Sequence, residues 1–217
     1  MKQKENDSLA SLIAEVKSQL KWPIRPEPSV SDLEIRCNPE AKEHIFYVPV
    51  LGVTEIALLH ELAHATLGER VHHLVATASF GVELTHDELY FPTLLAAEWF
   101  ADGLLMQWSP NQAEDRLREK IQRIRGRAIR DKTEALYMRG WAFALEQHYL
   151  GVQSLPPERL QPVVKAFLGV PPDQPSLEAM TSLVNELAAI ISPYRVEVIK
   201  VDGLELWGVT TATLLRE

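Results

Sequence analysis

The sequence is poor in cysteine, long apolar runs and net positive charge. Its one cysteine, Cys37, cannot form an internal disulfide, which excludes a disulfide-stabilised secreted mini-protein and fits a reducing compartment. The most apolar stretches, residues 53–67 and 93–108, are too short or too polar to span a bilayer. No secretory-signal pattern follows the polar residues 1–7. We therefore expect a soluble, cytoplasmic protein without a membrane partner.

The formal net charge of −8 argues against a protein that coats nucleic acid or anionic membranes non-specifically. Hydrophobic residues make up 46% of the chain and charged residues 24%, the balance of a globular protein. There is no internal repeat or low-complexity tract. A packed fold with a substantial core is expected.

Apolar spacing and capping residues predict an α+β fold. Helices are expected over residues 8–22, 54–67, 92–108, 112–130, 133–150, 158–168 and 177–191, with Gly68 as the C-cap of the second. Residues 33–36 and 44–50 predict a small sheet, and residues 195–201 and 204–209 flank the hairpin signal Asp202-Gly203. Residues 74–84 fit either a helix or irregular structure.

The pentapeptide His60-Glu61-Leu62-Ala63-His64 is typical of a zinc site. Histidines at i and i+4 lie on one face of a helix and can bind one cation, while the intervening glutamate can take a proton from zinc-bound water. We therefore predict His60 and His64 as Zn²⁺ ligands and Glu61 as the general base. The alternative is two core histidines satisfied by hydrogen bonds.

A catalytic zinc needs a third protein ligand, for which Glu98 is the best candidate. It lies in an apolar helix, where an uncompensated carboxylate would be costly. Asp102, at i+4 on the same face, is expected to accept the other ring N–H of a ligating histidine. An exposed Glu98 is the alternative, and the rival ligands are Asp102, Glu83, Glu88 and His86.

Other reactive residues have weaker patterns. His72, His73 and His86 lack ligand-like spacing and are expected at the surface. One of them, or Tyr90, is the candidate residue for stabilising an oxyanion. Cys37 is read as a small buried residue rather than as an inhibitory zinc ligand.

Together with the HELAH helix, the run Glu98-Trp-Phe-Ala-Asp102 resembles the ExxAD pattern of gluzincin-type peptidases. Among soluble groups, residues 45–108 are similar to the ImmA/IrrE-type peptidases and to the metallopeptidase domain of ArdC-type anti-restriction proteins. The glutamate register differs from the ImmA/IrrE pattern. The resemblance implies a mostly helical, zincin-like core of helix, small sheet, HExxH helix and glutamate-bearing helix, which we place in residues 1–110. The helical patterns of residues 111–217 predict an extension that ends in the β-hairpin and packs on this core.

The expected function is zinc-dependent hydrolysis of peptide bonds in an intracellular protein. The alternative is a DNA-associated or regulatory, anti-restriction-like module with a mainly structural zinc. This alternative is based on a basic segment of the chain. Acidic residues are interspersed in that segment, which is more typical of a solvated, salt-bridged helix. The eight basic residues of the segment are Arg116, Arg118, Lys120, Arg123, Arg125, Arg127, Arg130 and Lys132.

Overall fold

The computed structural model describes residues 2–30, 33–50, 52–76 and 87–211, with the backbone alone for residues 2–8 and 87. In these ranges the predicted α+β class is confirmed. The helices are α1 (Lys2–Gln19), α2 (Glu55–Arg70), α3 (His73–Ala76), α4 (Asp87–Trp108), α5 (Pro110–Gly126), α6 (Lys132–Tyr149), α7 (Gln161–Leu168) and α8 (Leu177–Ala188), with a 3₁₀ turn at Glu158–Leu160. The strands are β1 (Ile24–Ser29), β2 (Glu34–Asn38), β3 (Glu43–Pro49), β4 (Tyr194–Val201) and β5 (Leu204–Thr211).

The first sheet contains one strand more than predicted. Its order is β1-β3-β2, with β1 parallel and β2 antiparallel to β3. The unpredicted strand β1 contains Pro26 and Pro28, which normally argue against a strand. Prolines are tolerated here because β1 is an edge strand and pairs on one side only.

Helix α2 begins as predicted and ends later. The Thr54 hydroxyl accepts a hydrogen bond from the Ala57 N–H at 3.3 Å, which caps the helix N-terminus. The prediction that Gly68 is the C-cap was wrong, because α2 continues to Arg70. A side chain at Gly68 would meet Cys37 of β2, with the Cβ 2.6 Å from its Sγ, so this glycine allows helix and sheet to approach closely.

Helix α4 is longer than predicted, starting at Asp87 and carrying Pro92 inside its N-terminal part. For residues 74–84 the sequence fitted either a helix or irregular structure. Residues 74–76 belong to α3, and residues 77–84 lie outside the described part of the chain.

The C-terminal half contains the predicted helices and hairpin. Helix α5 ends at Gly126, earlier than expected, and α8 ends at Ala188. Strands β4 and β5 are antiparallel and joined by Asp202 and Gly203, whose φ values of 52° and 89° are those of a tight hairpin turn.

One hydrophobic cluster joins elements from both halves of the chain. It contains Ala63 of α2, Trp99 of α4, Tyr137 of α6, Phe167 of α7 and Trp207 of β5, all fully or almost fully buried. The boundary predicted at residue 110 falls at the first residue of α5, and α4 and α5 share this cluster. No helix in the described ranges combines the length and apolar character needed to cross a membrane.

Candidate metal centre

Helix α2 presents both histidines of the HExxH motif on one face, buried against α4. His60 is 1% exposed and His64 is 7% exposed. Their ring centroids are 4.9 Å apart in an edge-on arrangement. The His64 Nδ1–H faces the carbonyl of Ala76 at 3.1 Å, a contact that leaves Nε2 as the free, metal-facing nitrogen.

Helix α4 brings the Glu98 carboxylate opposite these rings. Its Oε1 lies 3.3 Å from His64 Nε2, and its Oε2 lies 3.6 Å from His60 Nε2. The side chain of Glu98 is 22% exposed, so this carboxylate is partly open to solvent while the imidazoles are enclosed. The structure thus brings the three predicted ligands together.

The donor set fits a metal ion. One ligand atom each from His60, His64 and Glu98 lies within 4.8 Å of the others, which is close enough to hold one cation. In a tetrahedral zinc site with bonds of 2.0–2.1 Å, ligand atoms are about 3.3 Å apart, close to the two distances measured here. The His60 Nε2 atom is also buried and makes no hydrogen bond of good geometry, although the Asp102 Oδ1 atom lies 3.3 Å away, and a bound cation would satisfy this nitrogen.

Glu61 is held beside the site by the edge of the small sheet. Its Oε2 accepts a hydrogen bond from the Ile35 N–H of β2 at 3.0 Å, and its Oε1 lies 3.3 Å from His60 Nδ1. Burial alone would raise the pKa of Glu61, but the contact with His60 and the charge of His64 outweigh it and lower the pKa. Glu61 is therefore an ionised carboxylate in a fixed position, 13% exposed.

Two cations of α5 extend the site in a way that the sequence analysis did not predict. The Lys120 Nζ donates to Glu98 Oε2 at 3.0 Å and to both Asp102 oxygens at 2.9 and 2.8 Å. The Arg116 guanidinium donates to Asp102 Oδ1 at 3.3 Å. Helical spacing could have predicted that Lys120 faces the protein interior. Lys120 follows Leu117 by three residues and precedes Ile124 by four, so it lies on the buried stripe of α5.

Asp102 faces the same His60 nitrogen as Glu98. Its Oδ1 lies 3.3 Å from His60 Nε2, and its side chain is fully buried. Burial would raise the pKa of Asp102, but Lys120, His60 and Arg116 together lower it to about 2. Likewise, burial opposes ionisation of Glu98, yet Lys120, His60 and His64 hold its pKa well below the usual range.

Comparison of the chain with protein-family models, curated proteins and solved structures gives no match. The resemblance to gluzincin-type peptidases therefore stays a prediction from the sequence motifs.

Most other predicted candidates lie away from this cluster. Cys37 is buried, its Sγ lies 3.3 Å from His44 Nδ1, and burial together with the charge of Glu69 raises its pKa to about 12. His72 and His73 contact Glu205 of β5, through its carboxylate and its carbonyl respectively, both at 2.7 Å.

The expectation that these two histidines are surface residues was wrong for His73, which is 8% exposed because the hairpin covers it. Tyr90 is half exposed, and the Glu88 Oε2 is buried without a hydrogen-bond partner. Glu83 and His86 lie outside the described residues.

Much of the basic segment is paired with carboxylates. Besides Arg116 and Lys120, which bind the buried acids of α4, three further arginines form ion pairs: Arg118 with Glu114, Arg125 with Glu146 and Arg127 with Glu134. These pairs reduce the positive charge that the segment presents to a polyanion.

Proposed function

We propose that this protein is a zinc-dependent peptidase in which His60, His64 and Glu98 bind the metal and Glu61 is the general base. The main support is that two distant helices bring three ligand atoms within 4.8 Å of one another. A fixed, ionised carboxylate follows the first histidine.

Zinc bound there would supply a Lewis acid that polarises a carbonyl and makes water acidic near neutral pH. The residues of the chain do the rest. Glu61 accepts a proton from the attacking water and delivers it to the leaving amine. The Ile35 N–H keeps the Glu61 Oε2 in place, so the carboxylate need not reorganise during proton transfer.

A cleft of about 410 Å³ lies between α1, the beginning of α2, and α5, and its wall includes Ile56 and Arg116. Ile56 precedes His60 by one helical turn, and Arg116 contacts Asp102. The proposed ligands are not part of this wall, so the cleft is near the site but does not itself expose it.

The zinc identity is part of the proposal, since imidazole and carboxylate donors also suit other divalent ions. An intracellular protein as substrate, a cytoplasmic location and membership of a gluzincin family stay predictions from the sequence. The DNA-associated alternative also stays a prediction, and the ion pairs of the basic segment do not favour it.

The direct test is cleavage by zinc-loaded protein. Wild type is incubated with labelled casein and with a mixed peptide library, and new termini are identified by mass spectrometry. Glu61→Gln should lower the cleavage rate by at least about 100-fold, because a general base contributes 10²–10⁴, while zinc content stays unchanged.

Glu178→Gln is the matched control, because this glutamate is exposed on α8 and the substitution should leave the rate as in wild type. An unchanged rate in Glu61→Gln contradicts its role as general base. Zinc-loaded wild type that cleaves nothing in the library contradicts the peptidase assignment.

A further inference from the structure

Lys120 has no role in the catalytic scheme above, yet it is the cation nearest to the ligand Glu98. Its ammonium bridges two carboxylates of α4, at 3.0 Å from Glu98 and at 2.8 and 2.9 Å from the oxygens of Asp102. The side chain is 15% exposed, and its Nζ lies 4.7 Å from the centroid of the Trp141 ring. Such a buried, threefold contact is unlike a surface ion pair.

We propose that Lys120 is a positioning residue that acts as the internal counter-ion of the metal site. Its ammonium balances and aligns the Glu98 and Asp102 carboxylates before a metal binds. The inference rests on the proposed metal site formed by His60, His64 and Glu98.

Charge balance is the first step of the argument. Asp102 is fully buried and Glu98 largely so, and buried carboxylates without a cation are strongly unfavourable. Arg116 reaches Asp102 only, at 3.3 Å, so Lys120 is the cationic side chain of α5 that contacts Glu98. The ammonium therefore holds the Glu98 and Asp102 carboxylates in place in the metal-free protein.

Competition is the second step. A divalent ion bound at Glu98 would lie within a few ångströms of the ammonium, because both contact the same carboxylate. Two cations at this distance repel each other in a poorly solvated site. Lys120 thus stabilises the metal-free protein and raises the dissociation constant of the metal ion.

The test compares Lys120→Met with wild type at fixed pH, using zinc alone as the probe. Metal-free Lys120→Met should unfold at a lower temperature than metal-free wild type. It should bind zinc at least tenfold more tightly, measured by titration against a chelator of known affinity. Its stabilisation by saturating zinc should accordingly exceed that of wild type.

Further variants separate charge from packing. Lys120→Arg keeps the charge and should keep zinc affinity within a few-fold of wild type. Lys165→Met, at an exposed position of α7, should change neither quantity. If metal-free Lys120→Met does not fold, the double variant Lys120→Met/Asp102→Asn removes one cation with one anion and should restore folding. Because Asp102 also lies near the metal position, the reference for the double variant is Asp102→Asn, which it should exceed in zinc affinity by at least tenfold.

Two results overturn the inference. If wild type binds zinc and the neutral Lys120 variants bind it equally or more weakly, the inference fails and the proposed function stands. If wild type binds no zinc, both fail together.

Discussion

At the scale of single residues, the motif histidines illustrate what sequence can predict. Two imidazoles at i and i+4 must share a face once the segment is helical, so the pairing of His60 with His64 follows from local geometry. Glu98 was identified from its apolar surroundings, and the structure places it opposite these rings. The hydrogen bond from Ile35 to Glu61 and the contacts of Lys120 join residues far apart in sequence. Helical spacing indicates that Lys120 lies on the buried side of α5, but no local pattern predicts which residues it contacts.

Gly68 is a second residue whose role depends on a distant partner. Gly68→Ala should lower the free energy of unfolding by up to about 2 kcal/mol. The reason is that overpacking costs about 1–3 kcal/mol, whereas the gain in helix propensity is about 1 kcal/mol. The new Cβ would lie 2.6 Å from the Cys37 Sγ and 3.2 Å from the Ala76 Cβ. Urea unfolding of the variant measures the loss.

Gly126→Ala is the control, because a Cβ there would meet nothing within 4 Å, and its stability should match or exceed that of wild type. Adding Cys37→Ala to Gly68→Ala should cost less than the sum of the single losses, since the two residues share one contact. A Gly68→Ala protein as stable as wild type would show that α2 and β2 are not closely packed at this point.

At the scale of elements, helices and the hairpin were predictable because their signals are local. The apolar stripe of α5 and the Asp202-Gly203 turn each lie within one segment. Strand β1 was not predicted because its prolines dominate the local pattern, and its existence depends on pairing with β3. Element ends were less predictable, since Gly68 looked like a C-cap and serves close packing instead.

Asn185, in the last turn of α8, binds both backbone groups of Val196 in the hairpin. The Asn185 Oδ1 accepts from the Val196 N–H at 2.7 Å, and its Nδ2 donates to the Val196 carbonyl at 2.9 Å. Asn185→Ala should leave both backbone groups of β4 unpaired and cost about 1–3 kcal/mol. Hydrogen exchange of residues 194–211 should accelerate, while zinc content stays as in wild type.

Glu186→Ala, at an exposed neighbouring position of the same helix, should leave the exchange of the hairpin unchanged. Equal exchange in Asn185→Ala and wild type would mean that other contacts, such as those of Glu205 with His72 and His73, suffice to dock the hairpin.

At the scale of the whole molecule, the two halves of the chain share the large hydrophobic cluster and one candidate site. Residues 1–110 supply the proposed ligands and the general base, and residues 111–217 supply Lys120 and Arg116, which bind the acids of α4. The α+β class could be predicted from segment patterns alone. How α5 packs against α4 could not, because it depends on tertiary contacts between oppositely charged side chains that are buried only after folding.

The central claim is that one divalent ion binds between α2 and α4. The most direct measurement is the zinc content per chain, determined by mass spectrometry on wild type, Glu61→Gln and Glu98→Ala purified in parallel. We expect about one zinc per chain in wild type and in Glu61→Gln, and loss of zinc in Glu98→Ala, because a ligand is removed from a three-residue site. Wild type that takes up no zinc even when zinc is added would contradict the claim and leave His60 and His64 as core histidines.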